Sequence, residues 1–175
     1  MKLPLLSLLI FMLVGCQKFG ETSSCNLRNI QIKSDDVLLN ADYSAKSGLF
    51  NVQFRNEDAP NVVDVFPDPL VVVKNLKTAS ACEIVDANGI WSGKAVYVDN
   101  VNQVLLLNEY SGSTAVLILY DMTTCKRLDE INVSGSHFEV ATNHIRTGLD
   151  CSGDNVSSCQ RISEIALNNQ CEFSR

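Results

Sequence analysis

The sequence predicts an all-β fold, an antiparallel sandwich or barrel-like domain stapled by disulfides. Short aliphatic and aromatic segments are separated by turn-forming residues about every 8–12 positions, which is the spacing of strands in sandwiches and barrels. No segment longer than about ten residues places its apolar positions at helical spacing. The chain of 175 residues also contains seven cysteines, six of which are candidates for disulfides.

The first half of the chain is predicted to contain short strands separated by polar turns. Residues 49–55 alternate apolar and polar side chains over their last positions, as a half-buried strand does. Pro67 and Pro69 should end the strand before them, because each removes a backbone donor and stiffens the chain. The strands expected in this half cover residues 29–33, 37–43, 49–55 and 61–66.

The second half is more regular. Asn88-Gly89 and Ser111-Gly112-Ser113 are turn signals next to aliphatic segments. Residues 70–74 form a continuous apolar run that suits a central strand, and a single helical turn is expected near residues 156–162. The remaining strands are expected at residues 90–98, 103–107, 114–120, 126–133, 137–142, 162–167 and 171–173.

Propeller-like repeats are the alternative architecture. Residues 71–78, 117–124 and 162–169 each combine an apolar strand with a polar turn, and each leads to a cysteine: Cys82, Cys125 and Cys171. These cysteines are 43 and 46 positions apart, close to the length of one propeller blade. Roughly 150 residues make fewer than four such blades, whereas propellers typically have at least four, so the sandwich is preferred.

The N-terminus resembles that of bacterial lipoproteins. Met1-Lys2 precedes an apolar run of twelve residues, which suits a signal peptide and is too short to span a bilayer. The run closes on Leu13-Val14-Gly15-Cys16, which resembles a lipobox and implies cleavage before Cys16 and a covalent lipid on its thiol. The alternative, a buried helix of a cytosolic domain, should show polar residues at helical spacing, and residues 8–14 contain none.

This resemblance sets the expected organisation and location. Residues 1–15 would be the signal peptide, residues 16–25 the lipidated N-terminus with a short tether, and residues 26–175 a single β-rich domain. The expected location is the cell envelope, with a lipid anchor in the membrane. Gln17 is not the aspartate that implies inner-membrane retention in enterobacterial lipoproteins, so the resemblance favours the periplasmic side of the outer membrane in a Gram-negative organism.

The charge of the chain restricts its partners. The formal net charge is −6, and without residues 1–15 the chain keeps thirteen Lys and Arg against twenty Asp and Glu. An acidic surface argues against nucleic acid and anionic lipid headgroups and is compatible with a cationic protein partner. Solubility alone is an equally good explanation of the charge.

Six cysteines remain once Cys16 is assigned to the lipid. An even number in an exported chain indicates up to three disulfides, and six cysteines allow fifteen pairings. The candidates are Cys25, Cys82, Cys125, Cys151, Cys159 and Cys171. Cys151 and Cys159 flank a turn-rich segment, which makes a local bridge between them the best single prediction. A zinc site is not expected, because there is no C-x-x-C pair and the chain contains only two histidines.

No enzyme motif is present. The sequence has no G-x-S-x-G, no phosphate-binding loop and no dinucleotide fingerprint, and His137 and Glu139 lack a marked third group. We therefore expect a non-enzymatic protein with no catalytic residue, no metal and no small-molecule cofactor.

The candidate binding loop is the hairpin of Tyr110, Ser111, Gly112, Ser113 and Thr114. It joins two aliphatic strands, so its tip should be exposed on a rigid support. Residues 98–121 faintly resemble the Ser-Gly hairpin region of periplasmic lysozyme inhibitors, although Tyr110 precedes the Ser-Gly pair here and follows it in that family. The resemblance implies an inhibitor or immunity protein that binds a cationic cell-wall hydrolase. The alternative is a structural or assembly lipoprotein of an envelope complex.

Overall fold

The computed structural model describes residues 24–34, 42–55, 65–67, 69–85 and 89–174. Cys16, the residues predicted to form a signal peptide, and parts of the strands predicted at 37–43 and 61–66 lie outside these residues. Within the described ranges the chain is almost entirely β-structure, and no helix there has the length and apolar character needed to cross a membrane. The prediction of an all-β, antiparallel, disulfide-stapled fold is confirmed.

Thirteen strands and one 3₁₀ turn, Val156–Ser158, make up the described structure. In chain order the strands are β1 Arg28–Asn29, β2 Asp42–Ser47, β3 Phe50–Arg55, β4 Val65–Pro67, β5 Leu70–Asn75, β6 Ala81–Ile84, β7 Ile90–Asp99, β8 Val104–Ser111, β9 Thr114–Asp121, β10 Arg127–Asn132, β11 His137–Ala141, β12 His144–Cys151 and β13 Cys159–Ala166.

The strands form three antiparallel sheets. The largest has six strands in the order β1-β7-β8-β9-β10, with β4 also paired to β7. A four-stranded sheet has the order β2-β3-β5-β6, and a three-stranded sheet has the order β11-β12-β13. The described sheets do not close into a barrel, and their unequal sizes differ from the similar four-stranded blades that the propeller alternative requires.

The six-stranded sheet is the central layer, because it is buried on both faces. Along β8, Leu105 and Leu107 pack into a core shared with the four-stranded sheet, whereas Leu106 packs into a core shared with the three-stranded sheet. Successive side chains of a strand point to opposite faces, so a strand covered on both sides must be apolar at every position. This explains the unbroken aliphatic runs of β8 and β9.

Two strands were not predicted from the sequence. β6 has only four residues and includes the exposed Glu83, and β12 carries Arg146 and Gly148, which hide its alternation. The strand predicted at residues 171–173 is wrong: Phe173 forms only an isolated bridge to Leu167. The helical turn expected near residues 156–162 is the shorter 3₁₀ turn Val156–Ser158, followed directly by β13.

The six cysteines form three disulfides. Cys25–Cys171 joins residues 146 positions apart, Cys82–Cys125 joins residues 43 positions apart, and Cys151–Cys159 joins residues 8 positions apart. Cys151 and Cys159 lie directly opposite each other in the register of β12 and β13, which closes the local bridge favoured by the sequence. Gly148 leaves room for this bridge, because a Cβ there would collide with Sγ of Cys159.

A buried carboxylate fixes the N-terminal segment beside the Cys25–Cys171 disulfide. Asp99 is 2% exposed and lies at the end of β7, with Oδ2 3.4 Å from Sγ of Cys171. Its oxygens accept hydrogen bonds from the backbone N–H of Asn26 at 2.7 Å, of Val101 at 2.8 Å and of Asn102 at 2.9 Å, and from the Asn102 side-chain amide at 3.1 Å. Burial alone would raise the pKa of Asp99, but these hydrogen bonds outweigh it and hold the pKa below its ordinary value of 3.8.

The disulfides should differ in their contribution to stability according to the chain length they enclose. Replacing Cys25 and Cys171 by alanine should lower the free energy of unfolding by about 5 kcal/mol, against about 2.5 kcal/mol for the same double change at Cys151 and Cys159, because a longer closed loop restricts the unfolded chain more. Urea unfolding of both double variants measures this difference. Equal losses would contradict it.

Stability should fall in acid through Asp99. Because its folded pKa is lowered, the carboxylate stabilises the fold above pH 3.8 and loses this effect as the pH falls from there through the folded value. Asp99→Asn should be less stable by about 1–3 kcal/mol at pH 7, and its stability should change less between pH 5 and pH 2 than that of the unaltered protein. Unfolding curves across this range test the prediction, which fails if the two proteins show the same pH dependence.

Candidate functional site

The predicted binding loop is the hairpin between β8 and β9. Ser111 pairs with Thr114, which leaves Gly112 and Ser113 as a two-residue turn. Gly112 has a φ of +60°, a value that favours glycine and that a type II′ hairpin turn requires at its first central residue. The Ser-Gly sequence therefore sets the tight turn directly.

The tip of this hairpin is exposed on all sides. Residues 111–114 are exposed, and a Cβ placed on Gly112 would meet no atom within 4 Å. Four residues further down both strands the side chains are completely buried, as Leu107 and Ile118 show with exposures of 0% and 1%. The loop is thus a narrow polar projection on a buried support.

Polar groups below the tip fix its position. The side chain of Asn108 is fully buried, and its Nδ2 donates a hydrogen bond to the carbonyl of Val116 across the hairpin at 3.2 Å. On the outer side, the N–H of Ala115 donates to Oγ of Ser134 at 2.9 Å, and the N–H of Val133 donates to the Ala115 carbonyl at 2.8 Å. The turn after β10 therefore supports the hairpin laterally.

Tyr110 gives the hairpin an aromatic base. It pairs with Ile90 of β7 and Ala115 of β9, so the three side chains share one face of the central sheet. Ile90 is 44% exposed, and Tyr110 is half-buried. Burial raises the pKa of the Tyr110 phenol above its ordinary value of 10.0.

Three Ser-Gly turns share this end of the domain, which we call the Ser-Gly end. They are the hairpin tip at 111–114, the turn at 133–136 after β10 and the loop at 152–158 between β12 and β13. Asp154 is the charged residue within these three turns, and Glu109 lies just below the hairpin tip. The three turns are polar and mildly acidic.

The described residues bring one group of three potential metal ligands together: Cys25, Asp99 and Cys171. The two sulfurs are bonded to each other, so neither is the free thiolate that a metal would need. The carboxylate is already saturated by the hydrogen bonds described above. The group is therefore a structural junction.

The hairpin offers hydroxyl groups, backbone donors and acceptors, and one aromatic ring, on a support that is fixed before any contact. Such a surface can enter a concave site and form hydrogen bonds at little conformational cost. These features are typical of small, disulfide-bonded β-domains that bind another molecule through a projecting hairpin.

Comparison with known proteins specifies this class. The sequence model of a family described as Immune protein Tsi1 matches residues 25–171, a range that begins and ends on the cysteines of the longest disulfide. The chain therefore belongs to the Tsi1 family of immunity proteins. It is 36% identical over 126 residues to Immune protein Tsi1 of Pseudomonas aeruginosa, an alignment that covers 71% of this chain and 72% of the relative.

The residues that position the hairpin were missed in the sequence. Asn108 stands at the end of an aliphatic run, where a lone amide between two buried strands is a visible signal of a buried hydrogen bond. Ser134 lies in a turn that comes close to the hairpin only because β9 pairs with β10. No local sequence pattern predicts the contact between this turn and the hairpin.

Ser134→Ala should loosen one side of the hairpin. The change removes the acceptor for the Ala115 N–H and should lower the free energy of unfolding by about 1 kcal/mol. Hydrogen exchange at the Ala115 amide should become faster, whereas Ser136→Ala, two residues along the same turn, should leave that amide unchanged. Equal exchange rates at Ala115 in the Ser134→Ala variant and the unaltered protein would contradict this lateral support.

Proposed function

We propose that this chain is an immunity protein that neutralises a toxin by binding it, and that the hairpin Tyr110–Thr114 enters the toxin's active-site cleft. The proposed toxin is a cationic cell-wall hydrolase. The chain itself has no catalytic role in this proposal and uses no cofactor apart from the lipid proposed for Cys16.

The observation that carries the proposal is the narrow, exposed tip held by buried strands. An inhibitor must present groups that fit a cleft without first ordering them, because ordering a flexible loop reduces the affinity. The two-residue turn, the buried Asn108 and the support from Ser134 meet this requirement. Membership of an immunity-protein family supports a protein partner.

The charge distribution supports a cationic partner. The chain carries a net charge of −6, and Glu109 and Asp154 lie at the Ser-Gly end. Long-range attraction between opposite charges speeds the encounter of two proteins, which matters when a toxin must be captured before it reaches its substrate. The binding rate should therefore fall as salt is added.

The proposed location is consistent with this target. A lipid at Cys16 would hold the protein on the periplasmic side of the outer membrane, where a cell-wall hydrolase acts. Residues 17–24 would then be a short tether, so the domain would stay near the membrane surface.

A positive charge introduced at the tip tests the proposal. Ser113→Arg places a cation where the surface should meet a cationic cleft, and the inhibition constant should rise at least about a hundredfold, which corresponds to about 2.7 kcal/mol. Asn169→Arg, an exposed turn residue at the opposite end, is the matched control and should inhibit as well as the unaltered protein.

The measurement is peptidoglycan hydrolysis by a panel of lysozymes and amidases, titrated with the protein and with both variants. Inhibition of one enzyme by the unaltered protein and by Asn169→Arg, together with loss of inhibition in Ser113→Arg, is the expected result. No inhibition across the panel would contradict a hydrolase target. Inhibition that Ser113→Arg retains in full would contradict the role of the hairpin.

A further inference from the structure

The end of the domain opposite the hairpin has a different surface. It consists of the turns at 47–49, 76–80, 99–103 and 121–126 together with the buried Cys25 and its neighbour Asn26, and we call it the basic end. Three hydrogen bonds join its turns: Asn100 Nδ2 to Ser47 Oγ at 2.9 Å, Leu76 N to the Leu49 carbonyl at 2.7 Å, and Met122 N to the Gln103 carbonyl at 2.8 Å. The four turns therefore form one continuous surface.

Positive charge is concentrated on this end, although the chain as a whole is acidic. Five exposed basic residues lie on or beside the four turns: Arg28, Lys46, Lys74, Lys77 and Lys126. None of the five forms an ion pair with an acidic residue in the described ranges. The acidic residues here are the buried Asp99, the half-buried Asp121, the exposed Glu172 at the margin, and Asp129, which accepts a hydrogen bond from the N–H of Phe173 at 3.2 Å. Five positive and four negative groups leave a local charge of +1.

Exposed apolar side chains lie among these lysines. Val101 is 75% exposed, Leu49 is 54% exposed and Leu76 is 44% exposed. Leu49 and Leu76 are neighbours through their backbone hydrogen bond, and Val101 follows Asn100, which bonds to the turn before Leu49. Aliphatic side chains surrounded by lysine are the combination that binds the interface of an anionic bilayer.

The N-terminal chain enters the domain at the same end. The backbone carbonyl of Cys25 accepts a hydrogen bond from the Asn143 N–H at 2.9 Å. The backbone N–H of Asn26 donates to the Asp99 carboxylate beside the β7–β8 turn. The nine residue steps from Cys16 to Cys25 span at most about 30 Å when fully extended. A lipid on Cys16, as proposed above, would therefore keep the basic end within reach of the membrane.

We propose that the basic end is a docking face for anionic phospholipid headgroups. Lys46, Lys77 and Lys126 contact the headgroups, and the aliphatic side chains of Leu49, Leu76 and Val101 enter the headgroup layer. The strands of the central sheet then stand between the two ends. With eight residues in β8, the Ser-Gly end projects about 27 Å farther from the bilayer, where a soluble toxin can reach it.

The orientation of the domain on the membrane rests on the proposed acylation of Cys16. The test therefore measures both the acylation and the contact of the basic end with lipid. The full chain is isolated from membranes, its mass establishes whether an acyl group is present, and it is reconstituted into vesicles of phosphatidylcholine with or without phosphatidylglycerol. Hydrogen exchange should slow at residues 47–49, 76–80 and 100–103 when phosphatidylglycerol is present and stay unchanged at residues 111–114. Slowing at 111–114, or none at the basic end, would overturn the docking face.

Two pairs of variants separate the charges from the apolar contacts. Lys46→Glu/Lys77→Glu should abolish the protection, meaning the slowing of hydrogen exchange by phosphatidylglycerol. Lys33→Glu/Lys94→Glu makes the same charge change on the side of the domain and should leave this protection unchanged. Val101→Asp should reduce the protection, and Val85→Asp, at a position 82% exposed near the Ser-Gly end, should not. Loss of protection in both members of a pair would show a general charge effect and would overturn the assignment to this face.

If the mass shows no acyl group, the proposed anchor is wrong, and the docking face remains testable with the same chain. Co-sedimentation with phosphatidylglycerol vesicles should then weaken at least about tenfold in Lys46→Glu/Lys77→Glu, because each basic residue near an anionic surface contributes about fivefold. Binding that ignores these two changes, or no binding at all, would overturn the inference.

Discussion

Burial of the central sheet on both faces is the constraint on which the rest of the structure depends. β8 and β9 supply side chains alternately to the two cores, so neither outer sheet could be removed without exposing a row of leucine and isoleucine side chains. The same burial makes the two strands a rigid support. Their connection at Gly112 and Ser113 can therefore project into solvent without losing its position.

The junction of Cys25, Cys171 and Asp99 closes this arrangement at the opposite end. It holds Cys25 and Cys171, the first and last residues that match the family, beside the β7–β8 turn. Cys25 therefore lies at the end of the domain away from the hairpin. The fold thereby separates two surfaces. The turns of the Ser-Gly end are polar and mildly acidic, whereas the turns of the basic end combine lysines with exposed aliphatic side chains.

The fold class, most second-half strands and the hairpin could be predicted because they depend on local pattern. Alternation, aliphatic runs and Ser-Gly turns act over a few residues, and the Cys151–Cys159 bridge spans only a short turn. The three-layer arrangement could not be predicted. The aliphatic runs of β8 and β9 indicate buried strands, but they do not show which sheets cover the two faces. The basic end was hidden for a similar reason: its lysines are scattered through the sequence, and only strand order brings them together. The overall acidity of the chain argues against anionic lipid headgroups, but a net charge does not show where single charges lie.

The central claim is that the hairpin end meets the toxin and leaves the other end free. The most direct measurement is a hydrogen-exchange footprint of the full chain with and without an enzyme that it inhibits. We expect slowed exchange at residues 110–115 and in the neighbouring turn at 133–136, with residues 25–27 and 99–103 unchanged. Slowed exchange at 25–27 and 99–103, with none at the hairpin, would contradict it.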